Sequence, residues 1–406
     1  MGNDVNPVPG MGPSEQYVTQ EKMAPTDSRK QQLKIGIPKE TMYDERRVPL
    51  VPESVALLVQ QGHTIIIERE AGMAAGFTDL EFTEAGATIT KSKQEVFACD
   101  AVIKVTPPTH EEIGMMESRK LLISALNFCG RDRNYFTALL KKKTTAISYE
   151  CIRDKSGRFP VMQSISEIVG RGSIFIAASL LADPRYGKGA MLGGFPGITP
   201  SEIVIVGAGT VAMSAAGTAL QMGAQVKVFD NNIYKLRAIT SQLGPSVFTS
   251  IIQPKVLEKA IKCADVVIGA LLAKNDQMPY VVPEEMVKSM KPGAVVLDIS
   301  IDQGGVFETS KQTSHQQPTH TAHGITHYCV PNIASKYART SSYALSNYFT
   351  PMLSRMGDYT NLNQFILDDQ GLLEAIYMYQ GILTHNAASR RFNIPGQDIN
   401  LLLAAF

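Results

Sequence analysis

The sequence predicts an α/β protein in which parallel sheets are covered by helices on both faces. Short apolar strands alternate with helical stretches along most of the chain, and this alternation occurs in two successive blocks. The second block also contains a glycine-rich strand–turn–helix motif. Alternation of this kind is typical of parallel sheets whose strands are joined by crossover helices.

The first block begins at Leu33 and follows a stretch, residues 1–32, that is rich in Pro, Gly, Ser and charge. That composition predicts a flexible N-terminal tail. In the helical segment PESVALLVQQG, Pro52 marks the start and Gly62 the end. The strands predicted for this block are LKIGIP, HTIIIE, AVIKV, KLLISAL and TTAIS, and a further helix is predicted at RNYFTALLKK.

The second block opens with a long helical run, SEIVGRGSIFIAASLLAD, and a glycine-rich loop, YGKGAMLGGFPGITP. Strands are predicted at EIVIV, QVKVFD, ADVVIGA and AVVLDIS, with helices between them. From Arg339 onwards the sequence is mostly helical in character, and this C-terminal part could return to the first domain.

Composition excludes several classes of function. A net charge of +1 gives no basic surface for nucleic acid, and no apolar run approaches the roughly 18 residues that would suggest a membrane span. The five widely spaced cysteines are typical of reduced thiols and predict a cytoplasmic protein. The histidines between positions 315 and 327 lack Cys partners and acids at ligand spacing, so no metal site is predicted.

The glycine motif is the strongest local signal for a ligand. A strand runs into Gly207-Ala208-Gly209-Thr210-Val211-Ala212, which is followed by a helix. Gly207 permits a tight turn, Gly209 lets backbone amides approach a pyrophosphate, and Ala212 keeps the helix close to the strand. Asp230 follows Gly207 by 23 residues, near the spacing expected for an acid on the adenosine ribose of NAD. The alternative is a tight turn with no nucleotide.

Two further segments indicate chemistry. In VVLDISIDQGGVFE, Asp302 follows the end of an apolar strand, where ligands bind in doubly wound sheets, although it could also only cap a loop. In AVIKVTPPT, Lys104 interrupts an apolar strand. Residues two apart on a strand share a face, so Lys104 and Thr106 lie on the same side, roughly 6.6 Å apart.

These residues together resemble alanine dehydrogenase and the related alpha subunit of nicotinamide nucleotide transhydrogenase. The resemblance covers roughly residues 33 to 356, and IDQGG points to the alanine dehydrogenase branch. It rests on the segments IGIPKE, ERRVPLVPESV, AVIKV, SEIVGR, GAGTV, MKPGAVVLDISIDQGG, HYCVPN and ARTSSYALSN. It implies two Rossmann-like doubly wound domains with a cleft between them: a substrate domain of residues 33–160 plus 338–406, and an NAD-binding domain of residues 161–337. It also implies a homo-oligomer, a hexamer in this family.

The implied activity is NAD-dependent oxidative deamination of L-alanine to pyruvate and ammonia. Arg47 matches the arginine that holds the substrate carboxylate, with Arg46 as the alternative register. Asp302 matches the aspartate that supports nicotinamide and the amination steps, and Asn332 an asparagine of the same cleft. Ser166 matches a serine beside the nicotinamide. Lys235, shortly after Asp230, completes the candidate cofactor residues.

Two positions depart from the family pattern. The second family lysine, which contacts substrate, is Thr106 here, and the family catalytic histidine is Asn127. Asn127 can form hydrogen bonds with substrate but cannot shuttle a proton near neutral pH. Lys104 could replace the missing lysine, or it could be an ammonium paired with a carboxylate such as Asp302 or Glu40.

The departures leave three hypotheses open. The chain is an alanine dehydrogenase, a dehydrogenase for a larger 2-amino or 2-oxo acid, or a dinucleotide-binding protein that has lost dehydrogenase activity.

Overall fold

Two β-sheets with flanking helices make up the protein in a computed structural model, which describes residues 32–42, 44–126, 131–272 and 281–404. The α/β fold class predicted from the alternation of strands and helices is confirmed. The predicted tail lies almost wholly outside the described residues, as does Asn127.

The first sheet has eight strands in the order β15-β14-β6-β5-β4-β1-β2-β3. Its strands are β1 (Lys34–Ile37), β2 (Thr64–Glu68), β3 (Thr88–Thr90), β4 (Ala101–Ile103), β5 (Leu121–Ser124), β6 (Thr145–Ser148), β14 (Ile376–Tyr379) and β15 (Ile382–Leu383). Strands β1 to β6 pair in parallel, whereas β14 runs antiparallel to β6 and β15 antiparallel to β14. The carboxyl ends of the parallel strands therefore meet along one edge.

The second sheet has seven strands in the order β12-β13-β11-β10-β7-β8-β9. Its strands are β7 (Glu202–Val206), β8 (Gln225–Phe229), β9 (Val247–Ser250), β10 (Val266–Gly269), β11 (Val295–Asp298), β12 (Thr319–Ala322) and β13 (Ile325–Tyr328). All pairs are parallel except the hairpin between β12 and β13. The central strands β10 and β11 are buried throughout, as expected for strands covered on both faces.

Fifteen α-helices cover the two sheets within the described part of the chain. They are α1 (Pro52–Gln60), α2 (Asp79–Glu84), α3 (Lys93–Phe97), α4 (His110–Met115), α5 (Arg133–Lys141), α6 (Pro160–Ala182), α7 (Thr210–Gln221), α8 (Ile233–Leu243), α9 (Pro254–Cys263), α10 (Glu284–Lys288), α11 (Ala338–Gly357), α12 (Leu362–Asp368), α13 (Gln370–Leu373), α14 (Asn386–Phe392) and α15 (Ile399–Ala404). Pro52 stands at the start of α1, as the sequence predicts.

Helix α6 leads from the first sheet to the second and packs closely on α7. A Cβ at Gly170 would overlap the carbonyl oxygen of Val211, and one at Gly172 would overlap the ring of Tyr337. By length and composition α6 alone among the described helices could cross a membrane, but half of its most apolar window is buried inside the protein. The close packing at Gly170 and Gly172 and the buried apolar side chains of α6 are those of a helix in the protein core.

The C-terminal part of the chain returns to the first sheet. Strands β14 and β15 were not predicted, because the sequence here reads as mostly helical. They form a hairpin whose turn residues, Gln380 and Gly381, both have positive φ, 47° and 85°. This conformation matches the twist of a two-residue hairpin.

The chain crosses between the sheets twice, through α6 and through residues 329–337. The predicted domain boundaries at 160/161 and 337/338 coincide with the start of α6 and the start of α11. The boundaries themselves stay predictions.

Candidate active site

The turn between β7 and α7 requires glycine at its first position. Gly207 has φ of 119°, and a Cβ there would overlap the carbonyl oxygen of Ala270 at the end of β10. An L-side chain is therefore excluded by backbone conformation and by space. The close approach of Ala270, which follows β10, leaves room only for glycine at this position.

Gly209 fits a different requirement. It precedes α7 in an extended conformation, no side chain caps the helix, and a Cβ there would meet nothing within 4 Å. The first N–H groups of α7 therefore receive no side-chain cap, and the space beside Gly209 is open. Because helix N-termini attract anions, this end of α7 suits the pyrophosphate of a dinucleotide. Ala212 is buried one turn further along, where the helix meets the sheet core.

Asp230 lies just beyond the carboxyl end of β8 and is held in place by the backbone. Its Oδ2 accepts a hydrogen bond from the N–H of Ala208 at 2.8 Å, and its Oδ1 accepts one from Asn232 at 2.7 Å. A carboxylate has about four acceptor sites, so two bonds leave capacity for ribose hydroxyls. This geometry fits the role expected for an acid at this spacing.

A groove of about 570 Å³ lies between α6, α7 and α8 and contains several of the predicted cofactor residues. Gly209, Thr210 and Lys235 line it together with Arg171 of α6. Ser166 lies on α6 one turn before Gly170, the residue that contacts α7. Val211 and Ala212 form the adjacent first turn of α7.

The segment DISIDQGG is organised by a buried acid, Asp298, at the end of β11. Its carboxylate accepts hydrogen bonds from the Ser310 hydroxyl at 2.6 Å and from the N–H groups of Ser300 and Val306 at 3.1 and 2.8 Å. The Ser300 hydroxyl in turn donates to the carbonyl of Leu271 at 2.6 Å, beside the Gly207 turn. These contacts fix the loop that carries Asp302.

Asp302 itself is exposed at the surface of this loop. Although part of its surface is accessible, the protein that packs around the loop partly desolvates the carboxyl and raises its pKa, and the nearby Asp298 carboxylate adds to the effect. A raised pKa brings a carboxyl closer to the range in which it can exchange protons.

Arg47 is almost fully buried and forms a two-bond ion pair with Glu45. Its Nε and Nη2 donate to the two oxygens of Glu45 at 2.8 and 2.7 Å, and Nη2 also donates to Asn332 Oδ1 at 3.1 Å. Burial acts to lower the pKa of Arg47, but the Glu45 carboxylate outweighs it and raises the pKa above its ordinary value. Two predicted substrate residues, Arg47 and Asn332, are thus in direct contact.

Lys104 is fully buried and lies between two carboxylates. Its Nζ is 2.9 Å from Glu40 Oε2, 3.5 Å from Glu112 Oε2 and 3.1 Å from the Thr106 hydroxyl. Thr106 also donates its hydroxyl hydrogen to Glu40. Lys104 and Thr106 therefore meet the same carboxylate, and Glu40 is a partner of Lys104, as one of the sequence hypotheses held.

Glu40 reaches this position because β1 and β4 are neighbours in the sheet. Both strands run in the same direction, so the residues after their carboxyl ends converge. The Glu40 carboxylate accepts the N–H of Val105 at 2.5 Å and that of Thr106 at 3.3 Å. It thereby fixes the turn that follows β4.

Four residues of this region were not found by sequence reasoning. Glu45, Glu112 and Asp298 are buried acids that hold the predicted residues, and only Glu45 carried a signal, its position two residues before Arg47. His315 places its Nε2 3.3 Å from the carbonyl oxygen of Asn332. Desolvation and the Arg46 charge lower the pKa of His315. No spacing in the sequence connects it to this cleft.

The described residues place the buried Arg47–Glu45 ion pair and a dinucleotide-type turn in one two-sheet molecule. Arg47 contacts Asn332, which stands in the segment that leaves the second sheet for the first. The fold and the site define a two-domain protein of the dinucleotide-binding dehydrogenase class.

Comparison with family models identifies the family to which this chain belongs. Residues 36–169 match the family model described as alanine dehydrogenase/PNT, N-terminal domain, and residues 173–386 match alanine dehydrogenase/PNT, C-terminal domain. The chain belongs to the alanine dehydrogenase/PNT family.

Individual relatives are similar over nearly their whole length. An alanine dehydrogenase of Methanococcus maripaludis is 37% identical over 89% of this chain and 97% of its own. One of Staphylococcus saprophyticus is 36% identical over 91% and 99%. A solved L-alanine dehydrogenase structure superposes with a TM-score of 0.82 at 34% identity, covering 89% of this chain and 99% of that one. A transhydrogenase from Sinorhizobium meliloti, at 23% identity and a TM-score of 0.73, shares the fold.

Proposed function

We propose that this protein is an NAD-dependent alanine dehydrogenase that converts L-alanine to pyruvate and ammonia. The observation that carries the proposal is the contact between Arg47 and Asn332, which joins a carboxylate-binding group to the segment leaving the dinucleotide-type sheet. Substrate and cofactor must meet at such a junction for hydride to pass between them. The names of the relatives support the same activity.

The chain's own residues have distinct parts in this proposal. Arg47 binds the substrate carboxylate, and Asn332 lines the same pocket. The N-terminus of α7, with Gly207, Gly209, Thr210, Val211 and Ala212, receives the pyrophosphate, while Asp230 binds ribose and Lys235 and Ser166 border the cofactor. NAD, when bound, accepts the hydride that leaves the substrate. Asp302 stands beside the nicotinamide end and exchanges protons at its carboxyl oxygen.

Lys104 is proposed to hold the Glu40 carboxylate in place rather than to contact substrate. Its ammonium is wholly inside the protein and is already shared by two carboxylates. Thr106 and Asn127, at the positions of the family lysine and histidine, leave water and Asp302 to carry the protons. We therefore expect kcat to be roughly 10²–10⁴-fold lower than in a site that has a histidine base.

The test is NADH formation, followed by absorbance, with purified protein, NAD and L-alanine beside a panel of larger 2-amino acids. Arg47→Lys should reduce kcat/KM by about 100-fold, since lysine cannot reproduce the guanidinium geometry. Arg46→Lys is the matched control and should remain within about threefold.

The outcomes separate the hypotheses. Turnover of alanine whose kcat/KM falls by about 100-fold in Arg47→Lys supports the proposal. Turnover of only a larger amino acid would mean that Thr106 and Asn127 have widened the site. NAD binding without any turnover would show that dehydrogenase activity has been lost.

We also propose that the protein is a cytoplasmic homo-oligomer, a hexamer by resemblance to the family, with residues 33–160 and 338–406 as one domain and 161–337 as the other. Assembly is supported by large exposed apolar side chains between positions 175 and 198: Phe175, Met191, Phe195 and Ile198. Light scattering of the wild type and of Met191→Glu tests this. A monomer in the wild type would contradict it.

A further inference from the structure

The carboxylate of Glu45 is the most heavily bonded acid in the candidate site. Its Oε1 accepts hydrogen bonds from Arg47 Nε at 2.8 Å, from the N–H groups of Arg47 and Arg46 at 2.9 and 3.1 Å, and from Ser335 Oγ at 2.9 Å. Its Oε2 accepts from Arg47 Nη2 at 2.7 Å and from Asn332 Nδ2 at 2.9 Å. The side chain has no exposed surface. One buried carboxylate therefore receives six donors from two distant parts of the chain.

These contacts form a closed ring. Asn332 donates to Glu45 through Nδ2 and accepts from Arg47 through Oδ1, while Arg47 donates to both partners. Asn332 adopts a left-handed conformation, with φ of 57°, at the start of the segment that joins the second sheet to α11. Ser335, in the same segment, also donates to Glu45. The orientation of Arg47 is consequently set by the segment that connects the domains.

The ring of hydrogen bonds determines which nitrogen of the Arg47 guanidinium remains available to bind substrate. Nε and Nη2 are both bonded to Glu45, and Nη2 is bonded to Asn332 as well. Arg47 Nη1 has no hydrogen-bond partner within the ranges that the structure describes. A substrate carboxylate thus meets Nη1 from a direction that Glu45 fixes.

We propose that Glu45 is a positioning residue for substrate: it holds Arg47 so that Nη1 faces the substrate carboxylate, and it fastens Arg47 to the connecting segment through Asn332 and Ser335. This inference rests on the proposed function, because it assigns Arg47 to carboxylate binding. Glu45 does not compete with substrate for Arg47, since displacing it from the guanidinium would leave a fully buried carboxylate without the cation that compensates its charge.

The variant Glu45→Gln tests the proposal in the full-length protein. An amide can accept from one N–H of the guanidinium but presents its own N–H groups to the other, so Arg47 loses its two-bond partner. The KM for L-alanine should rise about 30-fold or more, whereas the KM for NAD should change by less than about threefold. A merely structural role would move both constants or neither.

Ser335→Ala is the second variant, in case Glu45→Gln does not fold. It removes one of the six donors and leaves the ion pair in place, so KM for alanine should rise about threefold. Glu70→Gln is the matched control. Glu70 forms an exposed ion pair with Lys39 at 2.8 Å, and its loss should leave both KM values unchanged.

Oxamate, a pyruvate analogue that carries a carboxylate, provides a readout independent of turnover. Its dissociation constant is measured on the NADH-loaded protein by fluorescence for the wild type, Glu45→Gln and Arg47→Lys. About 30-fold weaker binding in Glu45→Gln, with unchanged NADH affinity, supports the proposal. Equal or tighter oxamate binding in Glu45→Gln overturns it, because Glu45 would then be neutral or a competitor.

The oxamate measurement also separates the two proposals. Wild-type protein that binds oxamate through Arg47 but forms no NADH from any amino acid would refute the proposed function. The ratio of the oxamate dissociation constants of Glu45→Gln and the wild type would still test the positioning role. Wild-type protein that binds NADH but no oxamate would overturn the positioning role as well.

Discussion

Replacing Lys104 by Met removes the ammonium that two buried carboxylates share. The side chains of Glu40 and Glu112 are 3% and 1% exposed, and Lys104 Nζ lies 2.9 and 3.5 Å from them. Met fills a similar volume, so the substitution changes charge more than packing. We expect the free energy of unfolding of the protein to fall.

The magnitude follows from these distances. At an effective dielectric constant of about 20, each contact contributes about 5 kcal/mol of Coulomb attraction. The cost of burying the ammonium, which the variant avoids, offsets more than half of that sum. The expected net loss is about 3–5 kcal/mol, the range found when one partner of a buried ion pair is removed.

Urea unfolding followed by circular dichroism measures this loss, and NAD binding confirms that the variant is folded before the transition. Lys120→Met is the control, since Lys120 bonds Asp100 at 3.0 Å on the surface, where the carboxylate is half exposed. It should lose less than about 1 kcal/mol. A loss below 1 kcal/mol for Lys104→Met would refute the reasoning and free Lys104 for a direct catalytic role.

Three further predictions concern the cofactor turn, acid stability and the departures from the family. Gly207→Ala should weaken both folding and NAD binding, because a Cβ overlaps the carbonyl oxygen of Ala270; Gly209→Ala should weaken NAD binding alone, which calorimetry and thermal melting can separate. Burial lowers the pKa of His327 to about 4, so the unfolded chain binds more protons between pH 6.5 and 4 and stability falls by about 3 kcal/mol as the pH drops through that window. When urea unfolding is measured at several pH values, the free energy of unfolding of His327→Gln should change less with pH than that of the wild type. The double variant Thr106→Lys with Asn127→His should raise alanine turnover by at least about tenfold in steady-state assays, since it returns a cation and a proton carrier to the site.

Two of these predictions have clear contrary outcomes. Equal NAD affinity in Gly209→Ala and the wild type would contradict pyrophosphate binding at the N-terminus of α7. A double variant that folds, binds NAD and is no faster would mean that proton transfer does not limit turnover.

The order of strands and helices was predictable because local pattern alone determines it. Runs such as IVIV and VVL are continuous and apolar, and they become strand segments buried on both faces. The hairpin of β14 and β15 was missed for a physical reason. Its apolar residues, IYMY, satisfy either a strand or a helix in isolation, and only pairing with β6 decides between them.

The predicted site residues were found by motif, whereas the groups that hold them were not. The prediction that Lys104 and Thr106 share one face of a strand is wrong in its premise, because β4 ends at Ile103; the two side chains nevertheless both contact Glu40. The pairing of Glu45 with Asn332 and Ser335, and of Lys104 with Glu40, depends on distances across the folded chain. No single-sequence pattern encodes which buried acid will reach which cation.

Lys104 directly follows β4, which ends at Ile103, and the residues after β1 and β4 require its charge. Glu40 binds the N–H groups of Val105 and Thr106 and so shapes the turn into the Pro107-Pro108 step. A carboxylate in that buried position needs a compensating charge, which Lys104 supplies. Lys104 is thereby committed to the protein's own acids, and Arg47 remains the cation proposed to bind the substrate carboxylate. Under this proposal, Thr106, at the position where the resemblance implies a lysine that contacts substrate, removes that contact while Lys104 still balances the charges of Glu40 and Glu112.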